Sequence, residues 1–293
     1  MDRDILFAVK NNFYIGAFNN AINEASDLQG LGEAEAVERD VFVYRSYIAL
    51  GSYDLVISEI PDSASTSLLA IKLLAQYSGK RVTPEAATAM AAEWLADAAC
   101  NRNPYVRLAA GLIYAAEGNE VEALKAANAG GPLSLELMAL CVQVYLEMNR
   151  VDKAEQQVKA MSAVDDDATV TQLATAWVGV QLGGAKVQEA SYIYQELGDK
   201  HAWTPKLHAG LAVCRMKMGE WEDAERDLLD ALGKSAQDAD TLANLITVAL
   251  HLGKPTARYA AQLKALAPGH PATARYDAAE ELFARAAAAA AVS

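Results

Sequence analysis

Residues 204–236 read TPKLHAGLAVCRMKMGEWEDAERDLLDALGKSA. Pro205 stands where a first helical turn tolerates a missing N–H, and Leu211, Val213 and Met216 then recur at helical spacing. Gly219 ends that helix, because a tight interhelical turn needs a residue free to take positive φ. Trp221, Ala224, Leu228 and Ala231 follow, again at helical spacing. The stretch is therefore two antiparallel helices joined by a short turn, with Ala224 and Ala231 small enough to let the pair cross closely. A larger side chain there should cost about 1–3 kcal/mol by overpacking.

Outward from this hairpin, small residues recur at almost equal steps. Ala21, Val56, Ala123, Ala154, Ala190 and Ala224 lie 35, 67, 31, 36 and 34 apart, and Arg258, between Ala257 and Ala260, closes the series 34 further on. Since 67 is close to two steps, the mean period is about 34, the length of a tetratricopeptide helical hairpin. The 204–236 unit matches that pattern at its turn glycine, the aromatic two later and its alanines, but has His208 for the usual tryptophan and Arg215 for the usual tyrosine. Other units keep subsets: Gly16, Phe18 and Ala21; Tyr47, Gly51 and Tyr53; Gly111, Tyr114, Gly118 and Ala123; Tyr145, Asn149 and Ala154. The third unit is the weakest, with the turn region YSGKRVTPEAATAM at 77–90 and Pro84 opening a helix capped by Thr83. In the eighth, Leu242, Leu245 and Leu250 precede Gly253 and Pro255, and the second helix is displaced by about a residue.

The expected fold is an all-α, tetratricopeptide-like solenoid: one domain over 1–293, with about eight hairpins in 1–266, a capping helix over 272–285 and an Ala-rich tail at 286–293. Tyr276, Leu282 and Phe283 are expected to dock that last helix on the final hairpin.

Composition narrows the function. Apolar residues make up 53% but aromatics only 7%, and much of the remainder is alanine, which suits closely approaching helices. A net charge of -13 without a Lys/Arg cluster argues against nucleic acid. Cys100, Cys141 and Cys214 are expected as reduced core thiols within helices, not a disulfide framework. The N-terminal MDRDILFAVKNN has no signal-peptide pattern, and no run of about 18 apolar residues occurs, so the expectation is a cytoplasmic chain that neither is secreted nor spans a membrane.

Chemistry-bearing motifs are missing. His201, His208, His251 and His270 have no metal-ligand spacing, and no nucleophile elbow, P-loop or complete dinucleotide fingerprint occurs. Gly30-Leu31-Gly32 reads as a connector, and Asp165, Asp166 and Asp167 as caps for a helix starting near Ala168. No catalytic residue, cofactor or metal is expected.

Tetratricopeptide stacks that read acidic peptide tails use a clamp of Asn, Lys and Arg on successive first helices. The equivalent positions here are Leu108, Leu112, Ala139, Gln143, Ala209 and Val213. Without the clamp, an apolar inner surface remains as the candidate partner site: Phe42, Tyr105, Leu108, Leu112, Leu140, Val213 and Met216, with Arg45 the one charge expected to face inward. These residues lie at positions equally suited to packing between hairpins. The expectation is that Leu108→Asp or Val213→Asp weakens partner binding and leaves helicity largely intact.

Several stretches exceed what the repeat requires: VKNNFYIGAF at 9–18, ERDVFVYRSYIAL at 38–50, DDDATVTQLATAWVGVQLGG at 165–184, QEASYIYQEL at 188–197 and NLITVALHLGKP at 244–255. In this order and spacing they resemble the coatomer epsilon-subunit family of the COPI vesicle coat, over nearly the whole chain. The resemblance implies a non-enzymatic scaffold. Its repeats would curl around part of the C-terminal region of alpha-coatomer and stabilise it. The complex would be peripheral on Golgi membranes and COPI-coated vesicles, in retrograde Golgi-to-ER and intra-Golgi transport. The alternative, from the generic repeat alone, is a co-chaperone or adaptor that binds peptide tails.

Overall fold

A computed structural model describes residues 4–129 and 134–292. Among them are seventeen helices and no strand. Sixteen pair in sequence as hairpins: α1 (Phe7–Ile15) with α2 (Phe18–Asp27), α3 (Glu33–Ala49) with α4 (Tyr53–Glu59), α5 (Thr66–Ser78) with α6 (Pro84–Ala96), and α7 (Pro104–Ala116) with α8 (Glu120–Asn128). The series continues with α9 (Leu135–Glu147) and α10 (Val151–Val164), α11 (Thr169–Leu182) and α12 (Ala185–Lys200), α13 (Pro205–Met218) and α14 (Trp221–Lys234), and α15 (Ala239–His251) and α16 (Ala257–Leu266). A last helix, α17, covers Pro271–Val292.

One turn repeats seven times. A residue at positive φ ends the first helix, and the next N–H donates back five residues: Ala17 to Asn12 O, Ser52 to Tyr47 O, Arg81 to Gln76 O, Asn119 to Tyr114 O, Arg150 to Tyr145 O, Glu220 to Arg215 O and Lys254 to Ala249 O, at 2.7–2.9 Å. This closure satisfies carbonyls that the helix end leaves free. Glycine holds the left-handed position in five hairpins, Asn149 in one and Lys80 in the third. Lys80 explains why the third unit is hard to read: Gly79 sits one residue early, at φ -80. The rung missing from the 67-residue step is Ala87, fully buried, 31 after Val56 and 36 before Ala123.

The other rungs are buried too: Ala21, Val56, Ala123, Ala154, Ala190 and Ala224. Arg258 is exposed, and α16 buries Leu263 instead. Local caps follow their residue types. The Thr83 and Thr204 hydroxyls accept from Ala86 N and Leu207 N, each at 3.3 Å, ahead of Pro84 and Pro205. Asp165 Oδ1 accepts from the N–H groups of Asp167 and Ala168, both at 3.1 Å, just before α11.

Two expectations are corrected. Cys100 is half-buried in the turn between α6 and α7, its Sγ 3.6 Å from Asp97 Oδ2. Cys141 and Cys214 are core thiols, and burial pushes the Cys214 thiol up to about 12. The far part of α17 does not dock: Leu282 is 61% and Phe283 76% exposed. Its first turns hold instead, through buried Thr273 and the Lys264–Asp277 pair at 2.9 Å. The alanines continue the helix, and Ser293 lies outside the described residues.

Contacts group the chain into two units, one of Met1–Ile193 with Lys200–Ala202 and one of Tyr194–Asp199 with Trp203–Ser293. In the second, α13 and α14 pack through Ala212, Ala224 and Leu228 onto Leu245 and Val248 of α15. Gly210 there abuts the Tyr194 ring so closely that a Cβ would lie 2.4 Å from it. His208 stacks on Trp203 with ring centroids 4.8 Å apart, and Arg215 donates to Asp227 Oδ2 at 2.7 Å.

Candidate partner-binding site

In the first unit the first helices of six hairpins form a closed circuit. α1 packs on α3, α3 on α5, α5 on α7, α7 on α9, α9 on α11, and α11 returns to α1. Each step but the last joins neighbours in sequence. The last is made by residues 158 apart, where the buried Thr169 hydroxyl donates to Asn11 Oδ1. Unpaired, either polar group would resist burial there; paired, each satisfies the other.

At this closure lies a cavity of about 370 Å³, lined by residues of α1, α3, α7, α9 and α11 and the segments that precede them. Its walls carry Asp4, Lys10, Glu38, Glu136 and Asp165 beside the aromatic Phe7, Tyr14, Phe42 and Tyr105. Asp165 accepts backbone N–H groups, and the other four charges are ion-paired within the chain. Lys10 Nζ bridges Asp4 at 3.0 Å and Glu38 at 2.9 Å, and the Tyr105 hydroxyl donates to Glu38 at 3.0 Å. Arg45, only 8% exposed, donates to Glu136 Oε1 at 2.5 Å, which ties α3 to α9. Its guanidinium lies 4.4 Å from the Phe13 ring centroid and 5.2 Å from that of Phe42. Burial acts to lower the Arg45 pKa, but the adjacent Glu136 carboxylate outweighs it and holds the value above the usual range. Burial raises the Tyr14 and Tyr105 hydroxyls, with nearby carboxylates adding to the effect. Arg45 is therefore cationic, and Tyr14 and Tyr105 are neutral, at neutral pH.

The structure brings together four of the eight residues proposed from sequence. Phe42, Tyr105 and Leu108 line the cavity, and Arg45 is bound to its Glu136 wall. Leu112 and Leu140 belong to the α7–α9 packing, where Leu140 is buried and Leu112 flanks the cluster. Val213 and Met216 lie in the second unit, both half-buried, with Met216 against the α13–α15 core. Phe42 and Leu108 also serve hairpin packing in the free chain, Phe42 against Val9, Ala21 and Ala25 and Leu108 against Ala123, Ala127 and Val144.

Sequence reasoning missed Lys10, Asn11, Tyr14, Glu38, Glu136 and Thr169. A signal for most of them was present. Lys10, Asn11 and Tyr14 fall within 9–18, Glu38 within 38–50 and Thr169 within 165–184, the stretches that exceed the repeat. The fold collects those three stretches at one cavity. Glu136 carries no such mark.

The sequence profile described as coatomer epsilon subunit matches residues 2–291. The chain is 50% identical to coatomer subunit epsilon-1 of Oryza sativa subsp. japonica over 284 residues, covering 97% of each protein. It is 46% identical to coatomer subunit epsilon-2 of Arabidopsis thaliana, covering 97% of this chain and 96% of that one, and 33% identical to coatomer subunit epsilon of Dictyostelium discoideum, covering 97% of each. Among solved structures, a chain of the APC/C hetero-tetramer Cut9–Hcn1 is similar, with a TM-score of 0.62 at 15% identity over 90% of this chain and 52% of that one. A tetratricopeptide repeat protein from Parabacteroides merdae gives a TM-score of 0.58 at 16% identity over 87% of this chain and 94% of that one. At such identities these two likenesses speak for the fold alone. Full-length sequence similarity assigns the family: the chain belongs to the coatomer epsilon subunits.

Proposed function

We propose that this chain is a non-enzymatic scaffold subunit of the COPI coatomer that binds and stabilises the C-terminal region of alpha-coatomer. The observation that carries the reading is the closed circuit of first helices, with the family-like stretches 9–18, 38–50 and 165–184 converging on its cavity. A circuit of this kind offers a continuous inner wall to one inserted segment. The aromatic and aliphatic character of Phe7, Phe42, Tyr105 and Leu108 suits a folded or apolar segment. Within the coat the chain serves retrograde Golgi-to-ER and intra-Golgi transport, reaching Golgi membranes and vesicles from the cytoplasm through its partners. No helix among the described residues is long and apolar enough to cross a membrane.

The co-chaperone alternative lacks a carrying observation. The clamp positions hold Leu108, Leu112, Ala139, Gln143, Ala209 and Val213, none of which offers a charge to a peptide carboxylate. Purification of the tagged chain from cells tests the reading. Alpha-coatomer is expected in stoichiometric amount, and a clean preparation without it overturns the proposal.

A further inference from the structure

The interfaces of the first unit are of two kinds. Between sequence neighbours, helices meet through apolar clusters, such as Val41 of α3 and Ile71 of α5 with Val56 of α4, or Leu108 of α7 and Leu137 and Leu140 of α9 with Ala123 of α8. The seam that closes the circuit is different. It is held by the Thr169–Asn11 hydrogen bond and, beside it, the Arg45–Glu136 ion pair between α3 and α9, with the Tyr14 ring resting against the α9–α11 cluster. Polar groups that separate exchange one another for water, so such contacts add little net resistance to opening compared with an apolar face. Arg45 also keeps one buried guanidinium nitrogen, Nη1, without a hydrogen-bond partner, which hydration would satisfy. A repeat stack spreads a small rotation over many successive hairpins, so the seam can part by releasing the Tyr14 contact while the apolar clusters between neighbouring hairpins stay intact.

The need for such parting follows from size. The cavity at the seam, about 370 Å³, has room for a few side chains and not for a folded chain segment. A segment wider than that space can be seated only if the circuit widens.

We infer that the α1–α11 seam is a gate, latched by Asn11–Thr169 and Arg45–Glu136, through which the partner segment enters sideways. The entry step rests on the proposed binding of alpha-coatomer; the opening of the seam does not. Two measurements on the full chain, in a Cys100→Ser background, separate them. Thr169→Cys releases the Asn11 latch and places a thiol on the cavity wall, at a position 8% exposed in the shut state, to be compared with the natural core thiol Cys141, 1% exposed. Iodoacetamide should modify position 169 at least ten-fold faster than Cys141 under native conditions, and several-fold faster again with Glu136→Gln. A ratio of the two rates that Glu136→Gln leaves unmoved, whatever its starting value, overturns the gate. In the second measurement, Asn11→Cys with Thr169→Cys is bridged by a short bis-thiosulfonate reagent. Association with the purified C-terminal region of alpha-coatomer should slow at least ten-fold and recover on reduction, with the thermal midpoint of the bridged chain not lowered. Association as fast when bridged as when reduced overturns sideways entry. If the unmodified chain fails to bind that region, the proposed function fails, while the thiol rates still decide whether the seam opens.

Discussion

Single residues set the turn geometry, and their cost is readable one by one. Gly118 sits at φ +69 in open space, so Gly118→Ala meets no neighbour and suffers only the left-handed backbone penalty of about 1 kcal/mol. Lys80 already bears that penalty at φ +55, so Lys80→Gly should be neutral to stabilising where Gly118→Ala destabilises. Paired denaturant titrations of the two variants check this opposition. At Asp227, burial raises the carboxyl to about 6 against the lowering pull of Arg215, above an ordinary value of 3.8. A carboxyl that binds its proton more tightly when folded contributes fully below about pH 4, and the contribution is lost as pH rises through about 6. The thermal midpoint of the wild type relative to Asp227→Asn should therefore fall across that window. A difference that stays flat or rises with pH refutes the assignment.

At the scale of elements, helices and turns were legible because their signals are local. Gly219, Pro205 and Ala224 each act within a few residues, so the α13–α14 hairpin could be read directly. The third hairpin could not, because its left-handed position is held by a lysine and its rung, Ala87, lies in an alanine-rich run without contrast. Burial was harder still, since inner-face and packing positions differ by one residue around a helix. Leu108, 4% exposed, illustrates the consequence. Leu108→Asp places a carboxylate in an apolar cluster, and it should destabilise the first unit by several kcal/mol, about 3 or more, instead of preserving helicity. Val213→Asp, at a half-buried position, should retain its circular dichroism. The α17 tail makes the reverse case. With Leu282 and Phe283 exposed, removal of residues 281–293 should lower helical ellipticity yet shift the unfolding midpoint by less than about 0.5 kcal/mol equivalent.

For the whole molecule, the closed circuit of the first unit concentrates consequence in one cross-link. Glu136→Gln leaves the Arg45 cation buried without its counter-charge and should cost about 3 kcal/mol, whereas Arg45→Met with Glu136→Met removes both desolvation penalties and should recover most of that loss. Thermal or denaturant unfolding of the two variants beside wild type measures it, and a double variant no better than the single one refutes the coupling. By itself, the sequence determined the all-helical hairpin architecture, the 34-residue period, the turn chemistry and the family resemblance, because periodicity, caps and left-handed turns act over a few residues and contiguous stretches can be matched directly. Only the tertiary structure decided that α1 meets α11, that Arg45 finds Glu136, and that Asn11, Glu38 and Thr169 share one cavity. Those pairings depend on small rotations summed over six hairpins, and no local window of sequence carries that sum.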